Sequence, residues 1–175
     1  MASTVNKSHW ECAAYSNIFE IFLKMEVEKT ELDRQVDKLL EKEKNCRTLN
    51  DHLGSATVLK EIATLYYKAD QLDTMCDIIR SLMGKRGQAK KAQIELVQLV
   101  MSWLPSVKDN DQRMRIVETV REVSDKKIFL EVEYARAVLM IVQNKEDANN
   151  ISDAAKILQE VQVETYGSMS RREKL

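Results

Sequence analysis

The chain has 175 residues, of which 27 are basic and 28 acidic, giving a formal net charge of −1 with both signs mixed along its length. That balance excludes the broad basic footprint used to grip nucleic acid or an anionic membrane surface. Only 4 glycines and 1 proline accompany 44% hydrophobic and 31% charged residues, which predicts an all-α chain and argues against a sheet protein or a disordered one.

Residues 1–8 read as a frayed end. Tyr15, Phe19, Phe22 and Met25 then line up at helical spacing, as a core face or a self-association surface. The most apolar run here, Ile18 to Met25, is interrupted by Glu20 and Lys24 and is too short and too charged for a membrane span or a signal core. A mixed-charge helix is predicted from Glu26 to Arg47, with Leu32, Val36, Leu39 and Leu40 as its stripe and Thr30 and Asp33 as a capping pair.

From Thr57 to Ala69, Val58, Leu59, Ile62, Leu65, Tyr66 and Ala69 form an apolar face opposite Lys60, Glu61, Thr64 and Lys68. A second helix, Leu72 to Met83, turns Leu72, Met75, Cys76, Ile79, Leu82 and Met83 inward. So short a join, Asp70 and Gln71, leaves the two helices to pack as an antiparallel pair. Gly84 and Gly87 break the chain around Lys85 and Arg86, and a third helix follows from Gln88 to Leu104, with Ala92, Leu96, Leu99, Val100 and Trp103 in register. Its second half, Ile94 to Leu104, is apolar nearly all round and so reads as the central, most buried helix, ended by Pro105.

Asp109, Asn110 and Asp111 are cap candidates for a helix marked by Ile116, Val117, Val120 and Val123, and Asp125-Lys126-Lys127 makes a turn. Ile128, Val132, Ala135, Leu139 and Val142 give the next stripe, and Asn144 to Ile151 reads as a loop. In the last helix Ser152 is the N-cap, Ala154, Ile157, Leu158 and Val161 the inward face, and Gly167 the closing residue. All four glycines, at 54, 84, 87 and 167, are placed at joins. Helix pairs at 57–83, 88–123 and 128–164 imply a repeat of roughly 35 to 40 residues, the period of helical-hairpin solenoids. Ser170 and Glu173 have the spacing of a capping box that opens a further helix, so residues 168–175 read as its truncated start in a piece of a longer protein.

The chemistry that can be read is sparse. Cys12, Cys46 and Cys76 are odd in number and far apart, with no secretory signal, which argues for a reducing compartment, cytoplasm and nucleus. His9 and Cys12 at i, i+3 could hold a metal, but neither Cys46 nor His52 completes a four-ligand pattern. No phosphate loop or nucleophile signature is present, so no catalytic residue, cofactor or metal is assigned, and an enzyme using His9, Cys12 or Cys46 is the alternative from another class. Candidate partner contacts are the basic group Lys85, Arg86, Lys90 and Lys91 at a bend, and Gln162, Glu164 and Tyr166 on the polar edge of the last helix. The plainer reading is a solvated helix N-terminus and loop for the basic group, and capping with local packing of Tyr166 under the turn for the other.

Several segments carry a resemblance to a known family. They are Leu158 to Met169, read as Leu-Gln-Glu-Val-Gln-Val-Glu-Thr-Tyr-Gly-Ser-Met; the basic run Lys85 to Lys91; Arg115 to Arg121; and Lys127 to Glu133 followed by Ala135-Arg136-Ala137. In wording, order and spacing these resemble the PCI-domain subunits of the proteasome lid, over about Leu39 to Leu175. The resemblance implies a right-handed α-solenoid of antiparallel helix pairs over 31–167, preceded by a divergent extension, 1–30, with the C-terminal winged-helix PCI region absent. It implies a non-catalytic scaffold of the 26S regulatory particle, supporting ATP-dependent degradation of ubiquitinated proteins. Its partners would be other lid subunits, the ATPase base and the core-particle surface, with no nucleic acid and no membrane. A PCI subunit of the COP9 signalosome, or a generic TPR-like adaptor, is the alternative. Edges normally covered by neighbours would leave the isolated fragment open to self-association. Reversing the bend charges, Lys85→Glu with Arg86→Glu, is expected to weaken assembly without lowering helicity by circular dichroism; unchanged incorporation into the larger complex would refute a contact there.

Overall fold

The computed structural model describes residues 31–161, 163–167 and 169, with residue 164 described in its backbone alone. Expectations for His9, Cys12, Tyr15, Phe19, Phe22, Met25, Thr30, Gln162, Ser170 and Glu173 lie outside the described residues. The chain divides into two compact units, residues 1–38 and 39–175. The described part of the first is helical.

Every regular element among the described residues is helical. They are α1 (31–48), α2 (His52–Lys68), α3 (Leu72–Met83), α4 (Lys90–Trp103), α5 (Asn110–Ser124), α6 (Glu131–Asp147) and α7 (Ile151–Glu160). Short 3-10 turns follow α4, precede α6 and follow α7. No helix among the described residues is long and apolar enough to cross a membrane. The α2–α3 and α6–α7 joins each carry one residue in the left-handed region, Asp70 at φ 56° and Asn149 at φ 58°. Asn and Asp tolerate that region because their short polar side chains bond locally.

Packing follows the expected period. α2 lies mainly against α4, α3 against α5, and α6 against both α5 and α7. Leu59, Ile62, Met75 and Leu96 are wholly buried in these layers. Polar pairs cross from one hairpin to the next at a recurring separation: Lys60 to Glu95, 35 residues apart at 2.7 Å, Gln98 to Glu133, 35 apart at 2.9 Å, and Asp73 to Arg115, 42 apart at 2.8 Å. Tyr67 of α2 stacks on Trp103 of α4, ring centroids 4.3 Å apart. This is the repeating helical-hairpin arrangement that the period implied.

Several local expectations are corrected. Gly54 lies inside the first turn of α2, because Asp51 is the N-cap and its Oδ1 accepts the Gly54 N–H at 3.0 Å. A side chain there would strike the Asp51 carboxylate and approach Cys46 Sγ to 2.9 Å. Pro105 does not push Leu104 out of the helical region; Leu104 keeps φ −51°, ψ −41°, and the chain tightens into a 3-10 turn through the proline. The proline ring supplies helical φ but no N–H, so it suits such a turn. α4 is not apolar all round, since Gln98 and Ser102 are exposed. Ile128 and Leu139 are 78% and 51% exposed, and α6 instead buries Ala135, Ala137, Val138, Ile141 and Val142. α6 also runs on to Asp147, and Asn150, not Ser152, caps α7 by accepting the Asp153 N–H. α7 ends at Glu160, so Gly167 closes no helix, and Leu158 is 44% exposed.

The corrected face of α6 can be measured. Ile141→Ala should cost about 2–5 kcal/mol in urea unfolding, and Leu139→Ala less than about 1 kcal/mol. Equal losses would restore the sequence-derived stripe.

Candidate functional site

The bend between α3 and α4 is built from a glycine, a buried glutamine and one buried acid. Gly87 sits at φ +79°, in the region that favours glycine, and reverses the chain after α3. Gln88 is buried, with Oε1 accepting from Ser55 Oγ at 3.2 Å and its carbonyl accepting from Gln93 Nε2 at 3.1 Å. Glu43 of α1 is wholly buried. Its carboxylate receives Lys85 Nζ at 3.3 Å and Arg47 Nε at 3.0 Å, and Arg47 donates onward to the Arg86 carbonyl at 3.1 Å.

The four cations of the bend therefore have different surroundings. Lys85 neutralises Glu43 and ties the bend to α1. Lys90 sits over the Phe129 ring, 5.8 Å from its centroid, a cation–π distance. Arg86 and Lys91 are exposed and enter no salt bridge among the described residues. Sequence reasoning missed Glu43, because one acid in the run Glu41-Lys42-Glu43-Lys44 looks like any other until its tertiary partner is known.

Lys127, from the α5–α6 turn, was also missed. Its Nζ donates to the Met83 carbonyl at 3.3 Å and to Gln93 Oε1 at 2.9 Å. Burial pushes the ammonium pKa down, and its place at the carbonyl end of α3 is where a cation suits the helix dipole. The turn thus joins three helices at the same bend.

Of the other contact candidates, Gln162 and the side chain of Glu164 lie outside the described residues. Tyr166 is half-buried after the last 3-10 turn and lines a cavity of about 290 Å³ with Tyr134 and Asp125. Burial raises its pKa, as do Tyr134, Glu131 and Asp125. The thiol of Cys76 is likewise pushed up, by burial between α3 and α5, which makes it a poor nucleophile. Among the described residues no group of three or more His, Cys, Asp or Glu could hold a metal ion.

Residues 34–175 match the family model described as PSMD12/CSN4, N-terminal. The chain belongs to this family. Its relatives include the 26S proteasome non-ATPase regulatory subunit 12 of Dictyostelium discoideum, 39% identical over 140 residues, covering 80% of this chain and 31% of the relative. The 26S proteasome regulatory subunit RPN5 of Saccharomyces cerevisiae is 38% identical over 165 residues, covering 92% and 37%. The non-ATPase regulatory subunit 12 homolog B of Arabidopsis thaliana is 34% identical over 148 residues, covering 85% and 34%. The chain thus spans about a third of the length of these relatives. Family membership agrees with the resemblance read from Lys85 to Lys91 and Leu158 to Met169, and with the all-α repeat observed.

The buried acid makes the bend testable in this family's fold. Lys85→Met, leaving Glu43 with Arg47 alone, should destabilise by about 1–3 kcal/mol in urea unfolding, whereas Arg86→Ala, which keeps the carbonyl that Arg47 uses, should change stability by less than about 0.5 kcal/mol. Lys85→Glu would set a second carboxylate against Glu43, so loss of assembly in that variant would report misfolding as well as a lost contact. If both single variants were neutral, Glu43 would not be fastening the bend.

Proposed function

We propose that this chain is the N-terminal helical-repeat part, residues 31–167, of a non-catalytic scaffold subunit of the 26S proteasome regulatory particle lid. In that role it holds neighbouring subunits in place during ATP-dependent degradation of ubiquitinated proteins, in cytoplasm and nucleus. The observation that carries the reading is the family match over residues 34–175, together with relatives named as 26S proteasome regulatory subunits. The structure is compatible with it in a physical way. Stacked hairpins tied at each step by polar pairs present a series of exposed helix edges at fixed spacing, which suits binding by shape and a few charged anchors.

On this reading Arg86 and Lys91 are anchors for an acidic partner surface, while Lys85 serves the fold and Lys90 rests over Phe129. Gln162, Glu164 and Tyr166 would face the next helical layer or a neighbouring subunit. The family description names a second branch, CSN4, beside PSMD12. A signalosome subunit is therefore the second reading, and the curated relatives cited above favour the proteasome.

Affinity capture of the tagged full-length protein from native lysate in ATP, with mass spectrometry of what accompanies it, should recover lid and base subunits. Arg86→Glu with Lys91→Glu should lower that recovery while leaving the circular dichroism spectrum unchanged. Recovery of signalosome subunits would move the assignment within the family, and recovery of neither complex would overturn it.

A further inference from the structure

Where α5 stops at Ser124 and α7 stops at Glu160, two cavities of about 570 Å³ and 290 Å³ adjoin, sharing Asp125, Tyr134 and Glu160 in their walls. We propose that this groove docks a basic segment of a partner protein, with an arginine or lysine side chain entering beside Tyr134 and Tyr166. It goes beyond the scaffold reading and does not depend on which complex the chain serves.

The electrostatics favour a cation. Two helices bring their carbonyl ends, the negative poles of their dipoles, to the same groove. Glu118, Asp125 and Glu160 add carboxylates that the fold leaves loosely held. Asp125 is 3.7 Å from Lys126, and Glu160 is 3.8 Å from Arg121, both longer than a hydrogen bond, and Glu118 enters no salt bridge among the described residues. Glu122 differs, being held by Arg80 at 2.7 Å. Lys127 directs its ammonium to Met83 and Gln93.

Ser124 supplies an independent sign of a missing partner. It forms part of the wall of the smaller cavity, is 2% exposed, and its Oγ has no hydrogen-bond partner among the described residues. A buried hydroxyl without a partner is uncommon because its desolvation is uncompensated. A guanidinium or ammonium donor, which has several N–H groups and no acceptor, would satisfy that oxygen and the nearby carboxylates together. The tyrosine rings suit the aliphatic stem and the face of such a side chain. A bare metal ion fits less well, since no three of the described acidic, His or Cys groups converge closely enough to hold one.

The test uses the 175-residue chain and a fluorescein-labelled Gly-Arg-Gly-Arg-Gly peptide, followed by anisotropy at low salt, with Gly-Glu-Gly-Glu-Gly as the opposite-charge probe. The arginine peptide should bind and the glutamate peptide should not. Glu118→Gln with Glu160→Gln should weaken binding about tenfold, and Ser124→Ala, which leaves the charge unchanged, about threefold. Glu61→Gln with Glu146→Gln, acids exposed elsewhere on the chain, should leave binding intact. Equal weakening by that remote pair, no effect of either groove variant, or displacement by spermine as effective as by unlabelled peptide would overturn the proposal.

Discussion

A helical hairpin can cover only one of its faces with itself, and the rest of this structure follows from that constraint. Leu59 and Ile62 of α2 are fully buried, and α2 meets α4 more extensively than its own hairpin partner α3. The same holds one layer on, where α3 packs on α5 more than on α2. Stability is therefore shared between layers, and no hairpin here keeps its core dry alone. The bend from α3 to α4 becomes a structural element for this reason, since its angle decides whether α2 and α4 meet along their length.

Polar contacts fix that angle where apolar packing cannot. Hydrophobic burial is non-directional, so two faces of Leu, Ile and Val tolerate sliding by a turn. Lys60 with Glu95, Asp73 with Arg115 and Gln98 with Glu133 do not, because each pair meets in only one register. Asp73 with Arg115, the exposed pair, contributes little stability, so its role is alignment. Glu43, wholly buried, carries more energy, because a buried charge must be paired or it is strongly destabilising. Lys85, Arg47 and the Arg86 carbonyl fasten the last turns of α1, around Glu43 and Arg47, to the bend.

Much of this was legible in the sequence because helix periodicity and breakers report local physics. α3 is found at Leu72–Met83 as read, the stripe of α5 is buried as read, and the repeat period reappears in the 35-residue spacing of Lys60 to Glu95 and Gln98 to Glu133. The errors arose where tertiary contacts or side-chain capping decided the outcome. Asp51 captures the Gly54 N–H and starts α2 ahead of the glycine. α6 has neighbours on two sides, α5 and α7, so its buried face is wide and its centre falls on Ala137, Val138 and Ile141 instead of Leu139. On the bend, sequence found a basic cluster but could not divide it, since the acid that engages Lys85 lies 42 residues earlier.

The alignment contacts also sort the charges of the surface. Lysines and arginines that read alike along the sequence separate into those the fold consumes, such as Lys85, Arg115 and Lys127, and those it leaves exposed, such as Arg86 and Lys91. Carboxylates separate in the same way: Glu122 and Glu95 are held at 2.7 Å, whereas Asp125 and Glu160 stand beyond hydrogen-bond reach of their nearest cations. A near-zero net charge conceals this division completely. The exposed cations at the α3–α4 bend and the loosely held acids at the ends of α5 and α7 thus place opposite chemistries on one chain, although the chain as a whole carries a formal net charge of only −1.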